Sequence, residues 1–227
     1  MMLNEVFRDA CQNGDQELAE KILQENPTLD ISAEDEFAFR YACQGGHFAL
    51  AQWLFDLKPT IDISADEDFA FRYACQGGYL EMAQWLLNLK PTIDISAEED
   101  FAFRYACQGG YLEMAQWLLN IKPTIDISAE EDFAFRYACQ GGYLAMAQWL
   151  LEIKPTIDIS SEEDFAFRYA CQGGHLITAQ WLLEIKPTID ISAFDDFAYH
   201  YACRDGYLDV AQWLLSLKQT IDISKDE

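Results

Sequence analysis

The chain repeats itself every 32 residues, and that period constrains its fold more than any single motif does. Residues 65–96 and 97–128 differ at two positions only, Asp66 for Glu98 and Leu89 for Ile121. A short fixed period predicts small supersecondary units that bury their apolar faces on one another, not a single globular centre. The units fall at 1–32, 33–64, 65–96, 97–128, 129–160, 161–192 and 193–227, read together as one solenoid over 1–227. Half the residues are hydrophobic, with fifteen Phe, eleven Tyr and six Trp, so a core can form despite a net charge of −24.

One unit, 97–128, shows the local logic. Ser96 followed by Glu99 reads as a capping box ahead of an apolar run, with Glu98, Glu99 and Asp100 in the first turn where the helix dipole favours them. A first helix is expected over about 97–108. Asp100, Arg104 and Gln108, four apart, form its expected exposed stripe. Phe103, Ala106 and Cys107 point inward, and Gly109-Gly110 reverses the chain. A second helix follows over about 111–121. It is apolar over most of its circumference (Leu112, Met114, Ala115, Trp117, Leu118), so neighbours must cover it on several sides. Lys122 suits its negative end, and Pro123 stops it. Residues 124–128 then read as an extended connector. The fold class expected is all-α, a helical-hairpin repeat solenoid.

The end units differ. In residues 1–32, Asp9, Asp15 and Lys21 replace a Tyr, a ring residue and a Trp, as a polar capping repeat requires. The last unit keeps Trp213, Leu214 and Leu215 but carries Tyr199, His200, Arg204, Asp205 and Gln219 at changed positions. Its outer face is therefore half converted to a cap, and a monomer or weak self-association through this C-terminal repeat is expected.

Charge narrows the partners. Each unit carries a net −3 to −5, with no basic cluster, which disfavours nucleic acid and anionic membranes. No apolar run approaches the ~18 residues of a membrane span, and the start lacks the regions of a signal peptide; a cytoplasmic chain is expected. Seven cysteines lie 32 apart. Equivalent positions on packed helices sit roughly 8–10 Å apart, beyond the ~7 Å Cα reach of a disulfide, so they read as small buried core residues.

Nothing assembles a catalytic or metal centre. His47 and His175 are four repeats apart, roughly 40 Å at helix-packing spacing, and His200 stands alone. The acid triplet lacks the spacing of a calcium loop, and the Gly-Gly turns lack the Lys of a phosphate loop. The chain is expected to be no enzyme and to need no cofactor.

With the unit laid out, ACQGGYLEMAQWLL (106–119) and ACQGGHFALAQWLF (42–55) resemble the ankyrin repeat. The resemblance covers the whole chain. It departs from the family in its period of 32, in Phe101-Ala102-Phe103-Arg104 where Thr-Pro-Leu-His is usual, and in lacking the β-turn finger. Shortened or absent β-hairpin fingers are therefore expected. Divergent arrays of large DNA viruses and amoeba-associated microbes look similar. A tetratricopeptide array is the alternative, but its period is 34 and its Trp lies in the first helix.

The resemblance implies a concave face lined by first helices and loops that binds other proteins. Carried over by position, that face holds Glu67, Asp68, Gln76, Glu98, Glu99, Asp100, Gln108, Glu130, Glu131, Asp132 and Gln140. Tyr73, Tyr105 and Tyr137 lie beside it, either partly exposed for a partner or packed at the core rim. The function expected is a protein-interaction scaffold whose acidic face binds a basic peptide or protein. The alternative is a structural spacer or a consensus-like repeat array with no dedicated partner, because the units vary mainly on the second helix while the Asp-Arg-Gln stripe barely changes.

Overall fold

The computed structural model describes residues 2–225. The chain divides into two compact units, Met1–Ala106 with Glu113–Ile125 and Cys107–Leu112 with Asp126–Glu227. Every element among the described residues is helical, with turns between, and none is a strand, so the β-hairpin fingers are absent there.

The first unit holds the helical hairpins α1 (Met2–Gln12) and α2 (Gln16–Glu25), α3 (Ala33–Gln44) and α4 (Phe48–Leu57), and α5 (Ala65–Gln76) and α6 (Leu80–Leu89), with most of α7 (Ala97–Gln108) and α8 (Leu112–Ile121). The second holds the α7–α8 turn and three hairpins. These are α9 (Ala129–Gln140) with α10 (Leu144–Ile153), α11 (Ser161–Gln172) with α12 (Leu176–Ile185), and α13 (Ala193–Arg204) with α14 (Leu208–Lys225).

Within each unit the core is built from the same columns. Phe39 and Phe71, and likewise Phe135 and Phe167, are fully buried beside Ala and Cys positions with no exposed surface. Burying such a Phe stabilises by about 1.5–3 kcal/mol, and the small Ala and Cys let neighbouring helices approach. Trp from the second helix of one repeat packs on the Phe of the repeat before it, as in Phe71–Trp117 at 6.2 Å and Phe135–Trp181 at 6.3 Å.

The Gly-Gly turn works through rings. The second Gly is left-handed, with φ +74° at Gly46 and +73° at Gly142, and a ring from the next repeat lies where its side chain would be. A Cβ on Gly46 would stand 2.5 Å from the Tyr79 ring, and one on Gly142 2.3 Å from His175 Nδ1. In the first repeat Asp15 replaces that ring and instead caps α2, its Oδ1 accepting from the Leu18 N–H at 3.0 Å.

Two local expectations are corrected. The connector is not extended but two successive turns, closed by Ile93 N–H to Lys90 O (3.2 Å) and Ala97 N–H to Asp94 O (3.1 Å). The capping box does not form: Ser32, Ser64, Ser128, Ser160 and Ser192 make no side-chain cap to a helix N–H. Where the Ser hydroxyl is engaged, Ser160 Oγ donates instead to Asp164 Oδ1 at 2.6 Å. In the last repeat α14 runs on to Lys225, whereas α12 stops before the Lys186-Pro187 pair. Gln219 stands in place of that Pro and keeps the N–H and the helical φ that Pro denies.

Candidate functional site

The triplet that opens the first helix of every repeat after the first is not a right-handed helical turn. Glu98, Glu99 and Asp100 have φ of 54°, 55° and 59°, and a left-handed triplet occurs in six of the seven repeats, from Glu34 to Asp196, with Phe194 in place of the first acid in the last. Each such residue costs about 1–2 kcal/mol relative to the right-handed form. The right-handed helix begins only after it, at Phe101 and its equivalents.

Two clamps hold the turn. The Arg five residues on folds back over it: Arg136 Nε donates to Glu131 O at 2.7 Å and its Nη2 to Glu130 O at 2.8 Å. Arg72, Arg104 and Arg168 repeat this geometry. The third acid of the triplet, in turn, binds the connector. Asp68 Oδ2 accepts from Asp94 N–H and Asp132 Oδ2 from Asp158 N–H, both at 3.0 Å. Further links join successive repeats. Arg8 pairs with Glu34 and Arg40 with Asp66, while Lys90 reaches Asp62 at 3.0 Å and Lys154 reaches Asp126 at 3.2 Å. The Lys90 ammonium, together with the Ser64 N–H, holds the Asp62 carboxyl below its ordinary range.

These clamps sort the expected face. Glu67, Glu98, Glu99, Glu130 and Glu131 are exposed on the outside of the left-handed turns. Asp68, Asp100 and Asp132 are not: each is only 8% exposed, so they cannot present a carboxylate to a partner. Arg72 and Arg136, expected on the open stripe, are buried as well. Gln76, Gln108 and Gln140 are half-buried. Tyr73, Tyr105 and Tyr137 are half-buried in an aromatic ladder, stacked 4.1 Å from Phe69, Phe101 and Phe133 respectively. Tyr73 then meets Phe101 of the next repeat at 5.4 Å, and Tyr137 meets Phe165 at 5.3 Å.

One feature of the face lay outside the sequence reading. Across adjacent repeats the exposed acids meet in pairs, Glu67 with Glu98 and Glu131 with Glu162. The hydrogen bond between the two carboxyls, and then their mutual repulsion, raise the pKa of Glu67 and of Glu131. Like charges this close oppose double ionisation. The partners lie 31 residues apart, one short of the period, so a comparison of equivalent positions passes over them.

Other chemistry is quiet. Burial alone pushes the Cys11 thiol up to about 12 and those of Cys43, Cys75, Cys107, Cys139 and Cys171 up further; only Cys203 is exposed. Burial depresses the pKa of His175, opposed by its hydrogen bond to the Gln140 carbonyl, and His47 Nε2 lies 3.1 Å from Gln12 O. Among the described residues no three His, Cys, Asp or Glu side chains converge to hold a metal ion, and no helix is long and apolar enough to cross a membrane.

Helical hairpins joined by ring-covered Gly-Gly turns and packed repeat on repeat define a helical repeat protein. Three copies of the family model for ankyrin repeats match residues 7–99, 72–163 and 137–226. The chain belongs to the ankyrin-repeat family. Among 189 matching chains of solved structures, the crystal structure of the human ASB11 ankyrin repeat domain is similar with a TM-score of 0.57 and 17% identity. That match covers 79% of this chain and 83% of the other, a likeness of fold. Comparison with curated protein sequences finds no match.

Proposed function

We propose that this chain binds a basic peptide or basic protein surface through the exposed acids of its left-handed turns. Ankyrin repeats are protein–protein interaction scaffolds and typically not enzymes. The observation that carries the finer reading is the carboxyl pairing of Glu67 with Glu98 and of Glu131 with Glu162. A Lys or Arg placed between such a pair relieves the repulsion, and the repeat-to-repeat recurrence suits a partner with regularly spaced positive charge. The absence of a basic cluster on the chain supports a partner other than nucleic acid or an anionic membrane. The buried free thiols support a reducing, cytoplasmic setting. We further read the C-terminal repeat, with Leu208 and Leu215 exposed, as a site of weak self-contact.

Titration with a Lys- and Arg-rich peptide, with each partner unlabelled in turn, tests the proposal. Binding is expected at low salt and falls at least about tenfold by ~0.5 M, as exposed charges are screened. A variant with Gln at Glu67, Glu98, Glu131 and Glu162 loses most of that affinity. Equal binding by both proteins, or binding indifferent to salt, overturns it. No binding at low salt favours the spacer reading, which the near identity of the central repeats supports.

A further inference from the structure

Resting on the weak self-contact proposed above, the two end repeats carry matched features at the register that joins repeats inside the chain. Internal junctions define that register. The Arg at a repeat's eighth position lies over the fifth-position Phe of the next: Arg8 over Phe37 at 5.1 Å, Arg40 over Phe69 at 4.9 Å and Arg136 over Phe165 at 5.0 Å. The seventh-position Phe meets the next repeat's Trp at position 21, as in Phe39–Trp85 and Phe167–Trp213. The ring at position 15 covers the preceding repeat's second Gly, as His47 covers Gly14.

In the first and last repeats the chemistry of these positions is changed and several are exposed; Tyr199 is half-buried with Lys218 Nζ 5.9 Å over its ring, and Arg204 is paired with Asp205 at 2.7 Å. Val6 is 44% exposed, where the equivalent Ala38, Ala70, Ala134 and Ala166 are 0–2% exposed. Cys203 is exposed where its six equivalents are buried. A Cβ on Gly206 would meet nothing within 4 Å, whereas the equivalent Gly174 is covered by the Tyr207 ring. The first repeat has Glu5, Asp15 and Lys21 where internal repeats have Phe, a ring and Trp; the last has Tyr199, His200 and Arg204 where they have Phe, Arg and Gln.

We propose that the last repeat docks the first repeat of a second copy of this chain, head to tail, in the internal register. That register sets Glu5 against His200, Asp15 over Gly206 beside the Arg204–Asp205 pair, and Lys21 at the Tyr199 ring in exchange for Lys218. Glu5 then meets a base and Lys21 a ring, where the internal equivalents are Arg over Phe and Phe against Trp. Val6 and Cys203 become covered. A head-to-tail contact uses two different surfaces, so it extends chains of copies and does not close a two-fold dimer. The net charge of −24 opposes the contact at low ionic strength, so association strengthens as salt rises, opposite to the binding of a basic peptide.

Sedimentation velocity under reducing conditions tests this with two exposed-site variants, Val6→Glu and Cys203→Glu, each checked for native helicity. The wild-type chain is expected to show concentration-dependent assembly that grows on raising salt to about 0.5 M. Each variant alone sediments as a monomer, and an equimolar mixture recovers a dimer, because each supplies the surface that the other lacks. A Val6→Glu protein that still self-associates while Cys203→Glu does not overturns the head-to-tail contact but leaves the C-terminal self-contact standing. A wild-type chain monomeric at every salt and concentration overturns both, and bears in neither case on peptide binding.

Discussion

Replacing Arg136 by Met removes the guanidinium from the left-handed turn of the 129–160 repeat while keeping an unbranched apolar side chain of similar length. Three residues there, Glu130, Glu131 and Asp132, have φ of 54°, 56° and 59°, a conformation that costs about 3–6 kcal/mol in total at ~1–2 kcal/mol each. Arg136 offsets this with two hydrogen bonds to the turn carbonyls and a position 5.0 Å over the Phe165 ring. Hydrogen bonds to a charged group contribute about 1.5–3 kcal/mol each and a cation over a ring about 0.5–2 kcal/mol. The carbonyls belong to exposed residues, so water recovers part of the loss, leaving a net destabilisation of about 2–4 kcal/mol. For a chain of this size that is a fall in Tm of roughly 4–16 °C. Because repeat arrays are coupled through nearest neighbours, the urea transition, followed by Trp fluorescence, is expected to broaden as well. Arg136→Lys should recover less than half, since an ammonium cannot span both carbonyls and face the ring. A change within about 0.5 kcal/mol for Arg136→Met, the range of ordinary surface substitutions, would refute the argument that the Arg holds the turn.

The other expectations are as follows. Gly142→Ala puts a Cβ 2.3 Å from His175 Nδ1 at a φ of +73°, whereas Gly206→Ala is equally left-handed at +85° but meets nothing. Chemical denaturation should give the first a penalty larger by at least ~1 kcal/mol, the overpacking part alone. Mass spectrometry after brief alkylation at pH 8 should show Cys203 modified and the six buried thiols, all with raised pKa, modified only on unfolding. Glu67 and Glu131 have raised pKa values in the folded chain; their favourable contribution is present when protonated and is lost as pH rises through the folded value. Thermal melts of Glu67→Gln with Glu131→Gln should therefore gain stability over wild type at pH 7, and the gain should shrink toward pH 4. Asp62, whose pKa is lowered, has the opposite sign: its contribution disappears as pH falls through its folded value.

The second helices and the Gly-Gly reversals were legible because the signals are local. Leu112 to Ile121 carries a helical apolar pattern bounded by Gly110 and Pro123, and the helix has those bounds. The left-handed turn was not legible, since Ser96 followed by Glu98, Glu99 and Asp100 is also the residue pattern of a capped helix start. What selects the other conformation is Arg104 reaching back five and six residues to the Glu99 and Glu98 carbonyls. The same cause misplaced the polar face. An Asp100–Arg104–Gln108 stripe assumes a right-handed helix from residue 97, and the handedness change turns Asp100 inward. The connector misled similarly, because Asp94 turns it, its Oδ1 accepting from the Ser96 N–H at 3.0 Å, a device that an extended reading of Thr-Ile-Asp-Ile-Ser overlooks. The acid pairs needed a comparison between repeats offset by one residue. In α14, Gln219 was visible as a missing Pro, and the longer helix is its direct consequence.

The exposed acid pairs of the left-handed turns are the heart of the functional account, and calorimetric proton counting tests them most directly. A Lys- and Arg-rich peptide is titrated at about pH 5, just above the ordinary Glu range, in two buffers of different ionisation enthalpy. A positive side chain entering the Glu67–Glu98 and Glu131–Glu162 pairs lowers the raised pKa values of Glu67 and Glu131. Binding should release protons to the buffer, and the protein with Gln at all four positions should release none. Binding with no proton release, or with equal release from the Gln protein, would contradict the account.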